Sequence, residues 1–148
     1  MSSLDDLYRR VIMDHYQKPR NKGKIDDDSG LVINLNNPTC GDSISLSLKV
    51  EDGIVVDAKF IGEGCSISMS SASMMTEAVK GKPEEEAIRL ITIFSDMMQG
   101  KEPDDSVDLG DIEALQGVCK FPARIKCATL AWKALEQGIK QSDDKSNK

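Results

Sequence analysis

Two cysteines and one aspartate stand where a predicted hairpin would bring them to one end of a sheet. Cys40 and Asp42 lie two residues apart before one strand-like run, and Cys65 follows the next such run. Strand residues two apart point to the same face, so Asp42 is expected beside Cys40. Thiolates and carboxylates bind zinc, and cysteine thiolates also hold iron–sulfur clusters. The three side chains therefore predict part of a metal site.

The alternative for each of these residues is an ordinary structural role. A lone cysteine is more often buried core than ligand, and an aspartate after a glycine is often a turn residue. Cys40, however, has polar neighbours in a loop that enters a strand. Cys65 follows Gly64 in a glycine-rich segment, which lets a backbone approach a ligand closely. We therefore favour the metal-site interpretation for both cysteines.

The hairpin itself is predicted from two runs of alternating apolar residues, 43–50 and 54–61. A two-residue Asp52-Gly53 turn would place their apolar faces on opposite sides of the sheet. A three-residue loop over 51–53 buries both faces together, so we predict that loop. The resulting pairs are Val50 with Ile54, Ile44 with Phe60, Asp42 with Gly62 and Cys40 with Gly64.

Two further cysteines compete to supply a third sulfur. Cys127 lies in the second turn of a helix predicted to begin at Pro122, where the helix N-terminus and the cations of Arg124 and Lys126 favour a thiolate. Cys119 lies in the predicted loop just before that helix. Spacing leaves both open, and it also leaves open whether zinc or an iron–sulfur cluster is held.

Length and charge limit the classes of partner. The chain has 148 residues, which suits one domain, and a formal net charge of −6 from 19 basic and 25 acidic residues. Such a surface repels phosphate backbones and anionic membranes, so we expect neither nucleic acid nor membrane as a partner. The acidic start is unlike a secretory signal, and no apolar run is long enough to span a bilayer. We therefore expect a cytoplasmic protein with reduced thiols.

A single histidine, His15, excludes a site built from several histidines. We expect it to be a helix residue that packs on Tyr16 or on the sheet and binds no metal. Any bound metal must then rely on sulfur and carboxylate ligands.

The order of predicted elements is one helix, three strands and then helices. This order indicates an α+β fold, with a small three-stranded antiparallel sheet, helices on one face and a long C-terminal helix. We expect a single domain over 1–148, with an ordered core over about 4–140 and a disordered tail over 142–148. The expected segments are helices at 4–17, 66–79, 83–100, 112–115 and 122–139, and strands at 31–35, 43–50 and 54–61.

Several motifs together resemble a known family. They are Asp14-His15-Tyr16-Gln17-Lys18-Pro19-Arg20-Asn21, Asn37-Pro38-Thr39-Cys40-Gly41-Asp42, Gly62-Glu63-Gly64-Cys65-Ser66-Ile67-Ser68, Phe94-Ser95-Asp96-Met97-Met98 and Lys120-Phe121-Pro122-Ala123-Arg124-Ile125-Lys126-Cys127. From Leu4 to Gln137 the chain resembles the U-type iron–sulfur biogenesis proteins with the IscU/NifU-N fold. The resemblance is strongest to their SufU branch, the zinc-dependent sulfurtransferases.

The resemblance implies a ligand set and a partner. Cys127 matches the third cysteine of the family and Cys119 matches no motif position, so the implied zinc ligands are Cys40, Asp42, Cys65 and Cys127. The implied partner is a SufS-type pyridoxal-phosphate cysteine desulfurase, whose persulfide sulfur passes to Cys40 and on to downstream Suf assembly components. Arg124 is expected to stabilise the thiolate or the approaching persulfide.

Differences from the IscU branch favour sulfur transfer over cluster assembly. Lys126 stands where IscU-type scaffolds have a histidine, and Phe121-Pro122-Ala123-Arg124-Ile125-Lys126 replaces their Leu-Pro-Pro-Val-Lys chaperone motif. The spacing between Cys65 and Cys127 is also longer, as in SufU. The alternatives are a scaffold that holds a [2Fe–2S] cluster at the same ligands and a structural zinc domain that binds proteins.

Overall fold

A computed structural model of the chain describes residues 3–25, 30–37, 41–101 and 109–146. The fold is α+β, as the sequence predicts, with one antiparallel sheet in the strand order β1-β2-β3. The elements are α1 (Ser3–Gln17), β1 (Leu31–Asn37), β2 (Asp42–Glu51), β3 (Ile54–Glu63), α2 (Ser66–Val79), α3 (Glu84–Met98), a 3₁₀ segment (Gly110–Lys120) and α4 (Pro122–Ser146).

One face of the sheet carries the core. The inward side chains Ile33, Leu46 and Phe60 are buried, whereas the outward Val32 and Asn34 are exposed. Helix α4 packs across β1 and β2, and α2 packs on β3. Burying an aliphatic or aromatic side chain of this size contributes about 1.5–3 kcal/mol, so the alternating pattern orients the strands strongly.

The β2–β3 hairpin turns over two residues, so the predicted three-residue loop is wrong. Asp52 and Gly53 have φ angles of 53° and 76°, the left-handed conformations that a type I′ turn requires at both central positions. Val50 consequently pairs with Val55. This is the register that sequence analysis rejected because it separates the apolar faces.

A β-bulge restores the common apolar face. Immediately beyond the turn the pairing shifts, so that Lys49 lies opposite Asp57 and Val56 is the extra residue. Leu46 then pairs with Phe60, and the apolar faces of both strands point to the same side. The bulge moves the open end of the hairpin by two residues relative to the predicted register.

Two segments near the C-terminus are longer than predicted. The helix expected over 112–115 is a 3₁₀ segment from Gly110 to Lys120, so Cys119 lies in regular structure and not in a loop. Helix α4 continues to Ser146, beyond its expected end near Ile139 and into the tail expected to be disordered. Once a helix is anchored by packing, adding residues costs little, and no proline or glycine follows Gly138 to stop it.

The sequence contains no apolar run long enough to span a bilayer. Among the helices that the structure describes, none combines the length and the apolar character needed to cross a bilayer.

Candidate metal centre

Three of the predicted ligands converge at the open end of the hairpin. Asp42 begins β2, Cys65 precedes the first residue of α2, and Cys127 lies in the second turn of α4. One carboxylate oxygen and the two sulfur atoms all lie within 4.8 Å of one another. Three separate elements thus bring their ends to one small volume.

The Asp42 carboxylate is held at one oxygen and unpaired at the other. Asp42 is 1% exposed, and its Oδ1 accepts a hydrogen bond of 3.0 Å from the backbone N–H of Cys65. Within the described part of the chain, Oδ2 is buried and has no hydrogen-bond partner. An unpaired buried carboxylate oxygen is costly, and a metal ion bound to this atom would offset that cost.

Gly64 allows the carboxylate to lie against the backbone. A Cβ atom at this position would collide with Oδ1 of Asp42 and would stand 2.6 Å from Oγ of Ser68. Any side chain would therefore displace the carboxylate. The glycine before Cys65 serves this close approach, as its place in the glycine-rich segment suggested.

Cys65 stands at the N-cap position of α2, with extended φ and ψ angles of −74° and 169°. Its thiol is half-buried and lies 3.9 Å from Oγ of Ser68, to which it donates a weak hydrogen bond. Its backbone N–H is the donor to Asp42. One residue therefore supplies a sulfur atom and also orients the neighbouring carboxylate.

The contact between α2 and α4 positions Cys127. Ser71 donates a hydrogen bond of 2.6 Å to the carbonyl oxygen of Ala128 and accepts one of 3.1 Å from Trp132 Nε1. Trp132 stacks on Phe94, with ring centroids 4.6 Å apart. These contacts fix the rotation of α4 about its axis and its position along α2, so the fully buried Cys127 faces Cys65.

Arg124 adds a positive charge beside both thiols. The negative charge of Cys65, followed by hydrogen bonding to Cys65 and Cys127, raises the pKa of the exposed Arg124 guanidinium above its usual value. A cation at this point compensates the charge of thiolates gathered beside a carboxylate. Arg124 therefore lies at the edge of the candidate metal centre.

The structure describes only one of the two remaining cysteines. Cys40 lies outside the described residues, together with Pro38 and Thr39. Cys119 is half-buried in the 3₁₀ segment and does not belong to the Asp42–Cys65–Cys127 group. The choice that spacing left open between Cys119 and Cys127 is thus decided by tertiary structure.

The described ligands fit a zinc ion. Two sulfur donors and one carboxylate oxygen suit tetrahedral zinc, which accepts both ligand types. The unpaired Oδ2 of Asp42 is the observation that most favours a metal, because hydrogen bonds within the described residues do not satisfy it. An iron–sulfur cluster also binds cysteine thiolates, so donor chemistry alone leaves both possible.

Comparison with known proteins adds the family. A model of the NifU-like N-terminal domain matches residues 7–128. The chain belongs to this family. This NifU-like chain is 67% identical over 142 residues to the zinc-dependent sulfurtransferase SufU of Bacillus subtilis (strain 168). The matched region covers 96% of this chain and 95% of the relative. It is 50% identical over 142 residues to the iron–sulfur cluster assembly scaffold protein IscU of Streptococcus pyogenes serotype M1, covering 96% and 88%.

Solved structures agree on the fold of the NifU-like chain. A putative iron–sulfur cluster assembly scaffold protein for the SUF system from Fervidobacterium islandicum AW-1 superposes with a TM-score of 0.81 at 37% identity, covering 87% of this chain and 93% of that one. A NifU-like N-terminal protein from Brucella abortus has a TM-score of 0.86 at 23% identity, covering 97% and 99%. The second likeness supports the fold alone.

A second polar cluster of this NifU-like chain was missed by sequence analysis. His15 is buried between α1, α2 and the 3₁₀ segment, where its ring nitrogens lie 2.8 Å from Ser73 Oγ and 2.8 Å from Asp111 Oδ2. Ser73 also accepts a hydrogen bond of 2.8 Å from the backbone N–H of Arg20. We call His15, Ser73 and Asp111 the His15 clasp. The expected packing on Tyr16 or the sheet is replaced by these contacts, which no local sequence pattern indicates.

Proposed function

We propose that this chain is a zinc-dependent sulfurtransferase that accepts persulfide sulfur on Cys40 for iron–sulfur cluster biogenesis. The observation that carries the proposal is the convergence of Asp42, Cys65 and Cys127, with one buried carboxylate oxygen unpaired among the described residues. The 67% identity to a protein named as a zinc-dependent sulfurtransferase supports the same activity.

The proposed zinc ligands are Cys40, Asp42, Cys65 and Cys127. Cys40 precedes Asp42 by two residues, so the covalent chain keeps its Cα within about 7 Å of that of Asp42. When bound, zinc would keep its thiol ligands deprotonated, as a nucleophilic thiolate requires. Asp42 would bind the ion through its unpaired Oδ2, because Oδ1 accepts the hydrogen bond from the N–H of Cys65.

Sulfur transfer is a thiol–disulfide type of exchange. The Cys40 thiolate attacks the outer sulfur of a persulfide carried by a cysteine of the donor enzyme. A new S–S bond forms at Cys40, the S–S bond on the donor breaks, and the donor cysteine leaves as a thiolate. No net oxidation or reduction occurs, and no further reactant is required.

Arg124 is proposed to assist this exchange electrostatically. Its guanidinium is exposed and lies beside Cys65 and Cys127, so it can also attract the negative charge of an arriving persulfide. A cation at the mouth of the centre lowers the electrostatic cost of bringing two sulfur anions together.

The proposed donor is a SufS-type pyridoxal-phosphate cysteine desulfurase, and the acceptors are downstream Suf assembly components. We place the exchange in the cytoplasm, because a persulfide carrier needs thiols that stay reduced. We also propose that residues 1–148 act as one domain, since helices and sheet share a single core.

The decisive experiment incubates the zinc-loaded protein with the desulfurase and free cysteine. We expect the wild-type chain to accelerate alanine release and to gain one sulfur atom at Cys40, detected by mass spectrometry of alkylated peptides. The Cys40→Ala variant should lose both effects. Cys119→Ala is the matched control and should retain both, because Cys119 lies apart from the metal group.

Each contrary result has a separate meaning. A Cys40→Ala protein that accelerates alanine release as well as wild type would overturn the acceptor role. If Cys40→Ala instead lowers stability without selectively lowering turnover, the centre is a structural zinc site in a protein-binding module.

A scaffold for a [2Fe–2S] cluster at the same ligands is the second candidate. The 50% identity to a protein named as an IscU scaffold favours it. Lys126 opposes it, since a histidine ligand of that branch is missing. Anaerobic reconstitution distinguishes the two, because a stable cluster that moves intact to an apo-ferredoxin would favour the scaffold.

A further inference from the structure

A buried hydroxyl lies beside one of the candidate thiolates. Ser68 is fully buried, and its Oγ lies 3.9 Å from Sγ of Cys65, three residues earlier. The same hydroxyl donates a hydrogen bond of 3.2 Å to the backbone carbonyl of Cys65. Because the side chain is inaccessible to solvent, water does not compete for its proton.

The hydroxyl proton of Ser68 is free to turn toward the sulfur. The carbonyl of Cys65 already accepts the helical N–H of Met69 at 3.1 Å, so it keeps a partner when Ser68 leaves it. A thiolate attracts a donor far more strongly than a carbonyl that is already hydrogen-bonded. In the metal-bound state, where Cys65 is a thiolate, Ser68 is therefore expected to donate to Sγ.

Arg124 supplies further donors to the same sulfur atoms. Its guanidinium interacts with Cys65 and Cys127 together and carries a permanent charge. Two of the candidate sulfur ligands thus face at least one donor each, and Cys65 faces two.

From this arrangement we propose that Ser68, together with Arg124, holds Cys65 and Cys127 as unreactive metal ligands and so directs incoming sulfur to Cys40. The inference rests on the proposed sulfurtransferase function and deepens it. Hydrogen bonds to a ligating thiolate withdraw electron density from sulfur, which lowers its nucleophilicity and stabilises it on the metal. Ser68 is a positioning residue in this scheme, since it acts through Cys65.

The test measures the reactivity of each cysteine in the full-length, zinc-loaded protein without desulfurase. Brief alkylation with iodoacetamide, followed by peptide mass spectrometry, gives separate rates for all four cysteines. In the wild-type protein Cys40 should react faster than Cys65 and Cys127. We expect Ser68→Ala to raise the rate at Cys65 relative to Cys40 by about three- to ten-fold, because only about 0.4–0.5 of the free energy of a hydrogen bond to a charged thiolate appears in its nucleophilicity.

Ser70→Ala is the matched control for packing. Ser70 is also fully buried in α2, but its hydroxyl donates to the carbonyls of Ser66 and Ile67, at 2.5 and 3.3 Å. This variant should leave the ratio of Cys65 to Cys40 unchanged. Cys119, outside the metal group, provides an internal reference rate in every sample.

A spectroscopic signature separates electronic from structural effects. In cobalt-substituted protein, the sulfur-to-metal charge-transfer band should move to lower energy in Ser68→Ala and not in Ser70→Ala, because an unbonded thiolate releases an electron more easily. Equal alkylation ratios and equal bands in the two variants would overturn the proposal. So would a folded Ser68→Ala protein that no longer holds metal, because the proposal assigns the hydroxyl a tuning role.

Arg124→Gln keeps the proposal testable if Ser68→Ala does not fold. Arg124 is exposed, so its replacement leaves the core intact, and it should speed alkylation of both Cys65 and Cys127. Unchanged rates at both would contradict the inference. Unchanged alkylation rates would contradict only the role of Ser68 and Arg124, and Cys40 could still be the sulfur acceptor. If Cys40 accepts no sulfur from the desulfurase, the proposed function itself is wrong.

Discussion

The candidate metal centre and the His15 clasp both contain buried polar side chains, but the polar atoms of the two clusters differ in their hydrogen bonding. In the clasp, Nε2–H of His15 can donate to Asp111 while the Ser73 hydroxyl donates to Nδ1, so both ring nitrogens are satisfied. In the metal centre, Oδ2 of Asp42 is buried without a partner among the described residues. Among the described residues, the ring nitrogens of the clasp are hydrogen-bonded, whereas one carboxylate oxygen of the metal centre is not.

This difference distinguishes polar groups that stabilise the fold from polar groups that bind a ligand. A buried hydrogen-bonded network ties elements together, and the clasp joins α1, α2 and the 3₁₀ segment. A buried polar atom left unpaired costs about 1–3 kcal/mol, which a protein retains where a ligand satisfies it. Breaking each cluster in turn should therefore affect different observables, metal binding for one and intrinsic stability for the other.

Removal of zinc should have the largest effect. A ligand that binds only the native state, at a free concentration a thousand-fold above its Kd, stabilises that state by about 4 kcal/mol. Chelation of the zinc should therefore lower the free energy of unfolding by about that amount. Urea denaturation with and without chelator measures it. The same treatment should lower the unfolding free energy of Cys127→Ala by no more than about 1.4 kcal/mol, because free zinc is then only about ten-fold above the Kd of a site weakened 100-fold. A change as large as that of the wild type would argue against this centre as the zinc site.

Replacement of a ligand comes next. We expect Cys127→Ala to weaken zinc binding by about 100-fold or more, because loss of a direct ligand exceeds the loss caused by outer partners. Competition against a chromophoric chelator gives the affinity. Cys119→Ala should bind zinc with the affinity of the wild type. A lower zinc affinity in Cys119→Ala would indicate that Cys119, and not Cys127, supplies the third sulfur ligand.

The His15 clasp should respond in stability alone. His15→Ala removes a buried ring and leaves Ser73 with an unused donor, so the metal-free protein should lose about 2–3 kcal/mol of unfolding free energy. Zinc affinity of the folded fraction should remain within about three-fold of wild type. A large loss of affinity would show that the two clusters are coupled.

Gly64→Ala should impair the metal centre with a smaller effect than ligand removal. The added Cβ would displace the Asp42 carboxylate, so we expect zinc affinity to fall about ten-fold. Gly117→Ala is the control, since a Cβ there meets no atom within 4 Å. Equal affinities for the two variants would mean that the carboxylate does not bind the metal.

Asp111→Asn should have the smallest effect. Asp111 is 57% exposed, and an asparagine oxygen can still accept the hydrogen bond from Nε2 of His15. We expect the free energy of unfolding to fall by less than about 1 kcal/mol, as for other exposed pairs. A loss as large as that of His15→Ala, read by urea denaturation, would show that charge and not hydrogen bonding holds the clasp.

The hairpin shows how a correct conclusion can follow from an incorrect register. Alternating apolar residues in 43–50 and 54–61 required both faces to be buried together, and this is confirmed away from the turn, where Leu46 and Phe60 are buried. Next to the turn, Val55 is buried in place of the expected Ile54 and Val56, which are half-buried. The sequence pattern could not reveal that a bulge at Val56 would reconcile a two-residue turn with that requirement. The proximity of Asp42 to Cys65 survives because both registers place them at the same open end.

By itself the sequence determined the α+β class, the helices that begin near Pro83 and Pro122, and the proximity of Asp42 to Cys65, because these depend on local periodicity and chain connectivity. Spacing left Cys119 and Cys127 open, and the family resemblance selected Cys127. Tertiary structure places Cys127 beside Asp42 and Cys65, because Ser71 and Trp132 fix α4 against α2. It alone also revealed the His15 clasp and the Ser68 hydroxyl. The physical reason is that contacts between residues distant in sequence depend on helix rotation and packing, which no local pattern encodes.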